Sequence, residues 1–168
     1  MRPAAFALFA QLIDPYPGMR VVEVGCGGGE LTLPLAEKLA ENDGSVELYE
    51  FGEENLAKVR EKAPENVKVH LLEDFARVPR LESRGFEIAV LNRASHKVED
   101  LDAVLEACYH SLENSALFVL LGKEGEEDRT ALAEALEKPG FVAINPIDLD
   151  DELYLLTARK MHHWGRGH

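Results

Sequence analysis

The sequence predicts an α/β fold in which a mainly parallel sheet carries helices on both faces, and three observations predict it. Seven short runs of β-branched and aliphatic residues recur along the 168 residues. Segments whose apolar residues repeat at helical spacing separate most of these runs, and strands alternating with helices build parallel sheets. At the first strand-to-helix junction four glycines, Gly25, Gly27, Gly28 and Gly29, fall within five positions.

The elements follow in order. The apolar stretch of "MRPAAFALFAQLIDPYPG" is interrupted by Pro3, Gln11, Asp14 and Pro15, is far short of a membrane span, and suits a docking helix. "RVVEV" (20–24) reads as a buried strand, and past the glycines Leu31, Leu35 and Leu39 with Ala36 and Ala40 trace one face of a helix. "SVELYE" (45–50) is a second strand, "EENLAKVREKA" (53–63) a helix and "NVKVHLL" (66–72) a third strand. "FEIAVLN" (86–92) is continuous enough to be central, and "DLDAVLEACYHSL" (100–112) is an amphipathic helix with Leu101, Val104, Leu105, Cys108 and Leu112 on one side. "ALFVLLG" is a fifth strand ended by Gly122. An acidic linker leads to the helix "DRTALAEALEKPG", stopped by Pro139 and Gly140, and "FVAINP" and "LYLLTAR" close the sheet.

A chain of this length suits one compact domain, read here as residues 1–160. "KMHHWGRGH" lacks periodicity, so residues 161–168 read as a flexible tail. Lys and Arg total 18 against 31 Asp and Glu, a net charge of -13, and such a field repels a phosphate backbone. The densest basic residues, Arg77, Arg80 and Arg84, are spread out like an ordinary solvated face. Neither a nucleic-acid partner nor a membrane is expected. Cys26 and Cys108 are too few for a disulfide framework or a thiolate metal site, which fits a reducing cytosol and a cytoplasmic protein. His162, His163 and His168 lack the spacing and second ligands of a metal site, so no metal is expected.

A strand that runs through glycines into a helix presents backbone N–H groups to a polar or anionic ligand at close range. Glu50 ends the second strand 21 positions after Gly29, where a carboxylate accepts hydrogen bonds from both hydroxyls of a ribose. Together these features imply a nucleoside-type cofactor. The dinucleotide pattern G-x-G-x-x-G fails, because position 30 is Glu30, a carboxylate where a pyrophosphate would sit.

The pattern that does stand is Glu23-x-Gly25-x-Gly27-x-Gly29, within "PGMRVVEVGCGGG", and in it the chain resembles the class I S-adenosylmethionine-dependent methyltransferases. "VELYEFGEENLAKVREKA", "VHLLEDFARVP" and "FEIAVLNRASHKVEDLDAVLEACYHSL" extend the resemblance over nearly the whole chain. It implies a Rossmann-like sheet of seven strands, mostly parallel with the last strand antiparallel, and S-adenosylmethionine as cofactor. It further implies that Glu23, Gly25, Gly27 and Gly29 line the methionine and ribose part, that Glu50 holds the ribose, and that Phe51, Asp74 and Phe75 bound the adenine. Asn92, past the fourth strand, falls beside the transferred methyl.

Displacement at a sulfonium needs alignment and exclusion of water more than it needs a base. For a hydroxyl or acidic carbon acceptor a base helps, and His96 in "NRASHKVED" is the candidate, the alternative being a capping or surface histidine. "NRAS" replaces the Asn/Asp-Pro-Pro-aromatic run typical of methylation of nucleobase amino groups, and neither cysteine is placed as a carbon-5 nucleophile. The expected acceptor is therefore a small molecule or a protein. No long insertion supplies a lid, so the N-terminal apolar segment, a homodimer or partner subunit, or a large substrate would have to cover the site. The alternative is a non-catalytic binding module or partner subunit of the same fold, and an aminopropyl transferase is disfavoured because Asn92, Arg93, Ala94 and Ser95 stand where a polyamine needs acids.

Overall fold

The computed structural model describes residues 1–72, 85–95 and 100–161. Among the described residues, five helices and seven strands follow in the order α1 (Pro3–Ile13), β1 (Arg20–Val24), α2 (Thr32–Ala40), β2 (Ser45–Glu50), α3 (Glu53–Lys62), β3 (Val67–Leu71), β4 (Phe86–Asn92), α4 (Leu101–Ser111), β5 (Leu112–Lys123), α5 (Arg129–Glu137), β6 (Val142–Asp148) and β7 (Leu153–Arg159). The strands form one sheet in the order β3-β2-β1-β4-β5-β7-β6. β1 to β5 pair in parallel, and β7 runs antiparallel to both β5 and β6, so the expected architecture holds.

Alternation along the central strands splits the core in two, because successive side chains leave opposite faces of a sheet. Val22, Val24, Ala89, Leu91, Phe118 and Leu120 meet Val104, Leu105 and Cys108 of α4 and Leu132 and Leu136 of α5. Val21, Ile88, Val90, Val119 and Leu121 meet Phe9 and Ile13 of α1 and Leu35, Ala36 and Leu39 of α2. Leu48 with Val59 of α3 and Cys26 forms a smaller cluster. The N-terminal apolar segment is thus a docked helix whose buried side belongs to the core.

The order reverses direction at β1: β2 and β3 lie on one side, β4 and the rest on the other. Parallel sheets open a crevice for ligands at the carboxyl ends of the strands where the order switches. Register puts three strand ends there, with Val24 opposite both Tyr49 of β2 and Leu91 of β4. Gly25, Glu50 and Asn92 are each one residue beyond those positions.

Candidate functional site

Three of the four loop glycines do three different jobs. Gly25 has φ +83, and a Cβ on it would lie 2.8 Å from the Asn92 carbonyl oxygen and 2.9 Å from Ala94 Cβ, so only glycine lets the loop lie against the end of β4. Gly29, at φ +87, packs on α3, where a Cβ would come within 3.1 Å of Val59. Gly27, at φ +54, faces open space, with nothing within 4 Å of a Cβ. The loop is pinned at both ends by structure and open in the middle.

Glu50 does much of the pinning. Its Oε2 accepts from the backbone N–H of Cys26 at 2.6 Å, and its Oε1 accepts from the N–H groups of Phe51 at 2.8 Å and Gly52 at 3.3 Å. The carboxylate is 5% exposed and ties the end of β2 to the glycine loop. Oε1 is filled by its two N–H groups, and Oε2 keeps a lone pair for a further donor. Phe51, next to it, is half-buried and packs against the larger core cluster.

Glu23 sits beneath the loop, fully buried. Its Oε1 accepts from the Thr32 hydroxyl at 2.5 Å and its Oε2 from Asn92 Nδ2 at 3.1 Å, so one carboxyl joins β1, the start of α2 and the end of β4. Burial pushes its pKa up to about 7, opposed by the hydrogen bonds of Thr32 and Asn92 and aided by the charge of Glu50. Glu23 therefore holds the walls of the site together from beneath, through Thr32 and the cavity residue Asn92.

That cavity, of about 210 Å³, lies between the loop and the end of β4. Cys26, Gly27, Gly28 and Glu30 form one wall, Asn92 and Arg93 the other, and Leu31, Leu121, Leu153 and Met1 complete it. Ligand clefts run from about 300 Å³ upward, so this space suits one end of a nucleoside cofactor. α1 does not cover the cavity with its length; Phe9 and Ile13 are in the core, and only Met1 reaches the wall. Burial pushes the Cys108 thiol up to about 12, which leaves it a core residue. No cluster of three or more His, Cys, Asp or Glu could hold a metal among the described residues, and none of the described helices is long and apolar enough to cross a membrane.

The structure therefore brings together Glu23, Gly25, Gly27, Gly29, Glu50, Phe51 and Asn92 of the residues singled out in the sequence. Asp74, Phe75 and His96 lie outside the described residues. Arg93 and Glu30 were not among the residues assigned to the site. Their signal was adjacency, each being the next residue after an assigned one.

Comparison with known proteins agrees with this architecture. Residues 15–166 match the methyltransferase domain family. A 74-residue stretch is 40% identical to the tRNA (adenine(58)-N(1))-methyltransferase TrmI of Thermus thermophilus, covering 41% of this chain and 29% of that protein. The chain thus spans under a third of that relative's length. The fold is shared with the crystal structure of an S-adenosylmethionine-dependent methyltransferase from Aquifex aeolicus, at a TM-score of 0.77 and 18% identity over 92% of this chain and 88% of that one. It is shared equally with one from Mesorhizobium loti, at 0.74 and 18% identity over 94% and 99%. Fold, glycine loop and family match converge: the chain belongs to the class I S-adenosylmethionine-dependent methyltransferase family.

Proposed function

We propose that this chain transfers the methyl group of S-adenosylmethionine to a small-molecule or protein acceptor. The observation that carries the reading is the cavity at the switch point, with the open Gly27 on one wall and Asn92 on the other. The residues fit the cofactor: Gly27 and Gly28 leave room for its sulfur-bearing chain, and Glu50 Oε2 has a lone pair left for a ribose hydroxyl. When bound, the cofactor supplies an electrophilic methyl on a positively charged sulfur. The chain aligns it through the loop that Glu50 and Glu23 brace, and Asn92 borders the methyl. Asp74 and Phe75 are assigned to the adenine, and His96 to proton removal from a hydroxyl or carbon acceptor.

Calorimetric titration with S-adenosylmethionine and S-adenosylhomocysteine, with NADH as control, tests the reading. Micromolar binding of the first two alone supports it; binding of NADH, or of none, overturns it. Glu50→Ala is expected to weaken S-adenosylhomocysteine by about tenfold or more, since a charge-assisted hydrogen bond to the ribose is lost. His96→Ala is expected to cut turnover about a hundredfold with cofactor affinity unchanged, and a smaller effect returns His96 to a capping or surface role.

A second reading, an RNA acceptor, is favoured by the similarity to the tRNA methyltransferase, whose target is a ring nitrogen. The missing Pro-Pro-aromatic run speaks only to amino groups and leaves that chemistry open. The charge of -13 favours the first reading, because RNA affinity rests on cations that meet phosphates. Methyl transfer to tRNA transcripts at low and physiological salt decides between them.

A further inference from the structure

The wall of the cavity carries two opposite charges, Arg93 and the exposed Glu30, each with one partner at its outer side. Arg93 follows Asn92 at φ +49, in the left-handed region where a non-glycine residue is strained. Its backbone N–H is held by the Leu121 carbonyl at 2.9 Å, so the turn is fixed and the side chain is aimed. Nη2 donates to Glu126 Oε1 at 3.1 Å on the exposed side, while Nε is buried with no hydrogen-bond partner among the described residues. An orphaned guanidinium donor at a cavity wall is costly unless something fills it.

Glu30 faces the same cavity from the glycine loop. Its Oε2 accepts from the ammonium of Met1 at 2.9 Å, so this carboxylate is within reach of a primary ammonium at the cavity wall. That hydrogen bond and charge, and more weakly the charge of Arg93, hold its carboxyl below the ordinary range. Oε1 has no hydrogen bond among the described residues. The rest of the lining includes Leu31, Leu121 and Leu153, which strengthens any charge pairing made between them.

We infer that Arg93 and Glu30 grip the amino-acid end of bound S-adenosylmethionine, Arg93 taking its carboxylate and Glu30 its ammonium. The inference rests on the proposed function and names the groups that recognise one end of the cofactor. An α-amino acid carries its two charges two bonds apart, and a cation and an anion on opposite walls of a small cavity match that pattern. A guanidinium presents parallel donors to a carboxylate, which a lone ammonium does not. The exposed Arg93–Glu126 pair holds weakly enough to yield when the guanidinium turns inward.

The competing account makes Arg93 a fastener for the 124–128 loop through Glu126. Calorimetry on the whole chain with two probes separates the accounts: S-adenosylhomocysteine, and 5′-methylthioadenosine, which has the nucleoside and sulfur but no amino-acid end. Arg93→Ala should weaken S-adenosylhomocysteine about tenfold or more and leave methylthioadenosine within about twofold. Arg93→Lys should recover part of the loss, and Glu30→Gln should show a smaller loss of the same selectivity. Equal weakening of both probes, or unchanged S-adenosylhomocysteine affinity in Arg93→Ala, overturns the grip. Failure of the unaltered protein to bind S-adenosylhomocysteine at all is a different result, which overturns the cofactor reading beneath it.

Discussion

Three helices that follow strands of the sheet, α5, α4 and α2, start differently. α5 follows β5, and Asp128 caps it by accepting from the Thr130 N–H at 2.9 Å, while Arg129 and Arg93 bind Asp148 and Glu126 on either side. α4 is closed the same way, by Asp100 on Ala103 N–H at 3.1 Å. α2 follows β1 with the buried, apolar Leu31 at its N-cap and no capping side chain. Its first residue, Thr32, turns its hydroxyl down to Glu23. Every helix begins with N–H groups that need outside partners. α4 and α5 supply an acid of their own, whereas at α2 the glycine loop closes the first turn, Leu33 N–H donating to the Gly29 carbonyl at 3.0 Å. The acid-capped corners are scaffold, and the corner at the glycine loop, open in its middle at Gly27, is the one beside the cavity.

If that contrast is right, two neighbouring glycines should fail in different ways. Gly25→Ala puts a methyl against the Asn92 carbonyl and Ala94 in a left-handed backbone. Strain of about 1–2 kcal/mol and overpacking of about 1–3 kcal/mol should together cost roughly 2–5 kcal/mol in denaturant unfolding. Gly27→Ala meets nothing within 4 Å and should cost only about 1 kcal/mol of backbone strain. It narrows the cavity, however, so S-adenosylhomocysteine should bind about tenfold more weakly or worse. Equal stability losses at the two positions would mean that the loop is structural throughout.

The open corner was easier to read from sequence than the edges of the sheet. β1, β2 and β4 match their predicted limits because buried parallel strands are continuous apolar runs. β5 begins four residues before its apolar run, at Leu112, through polar Glu113, Asn114 and Ser115. What recruits them is tertiary: Leu112 pairs with Phe86, and the Ser115 N–H donates to the Lys160 carbonyl. β6 runs past Pro146 to Asp148, which an edge strand tolerates because one side of its ladder is unpaired. Within the site, the glycines and Glu50 were legible from spacing. That Glu23 reaches Asn92 depends on the register of β1 against β4, and the place of Arg93 on the cavity wall depends on a positive φ. Neither is written in local pattern.

Glu23 gives the next test, because it is the brace under the open corner and has no counterpart at α5. Its folded-state pKa is raised from 4.5 to about 7, so the native state binds this proton more tightly than the unfolded chain. The contribution is fully present below about pH 4.5, falls as pH rises, and is gone above about 7. The shift corresponds to ~3 kcal/mol. The groups that face it are Thr32, Asn92 and the charge of Glu50. Unfolding free energies measured from pH 4.5 to 8 should therefore decline by about 2–3 kcal/mol beyond the trend of Glu23→Gln, which cannot titrate. Parallel curves for the two proteins would show that Glu23 is ionised throughout and that the brace is a plain carboxylate.

The smallest expected effect is at the closed corner. Asp128→Ala removes the side chain that accepts from Thr130 N–H, and losing such a cap costs about 1 kcal/mol. Asp128 does not line the cavity, so S-adenosylhomocysteine affinity should be unchanged while the unfolding midpoint falls. The pairing of readouts matters more than either alone. If Asp128→Ala weakened the ligand as well, the acidic corner would be transmitting strain through Glu126 and Arg93 to the cavity wall, and the division between a closed scaffold and an open site would fail at the residue that joins them.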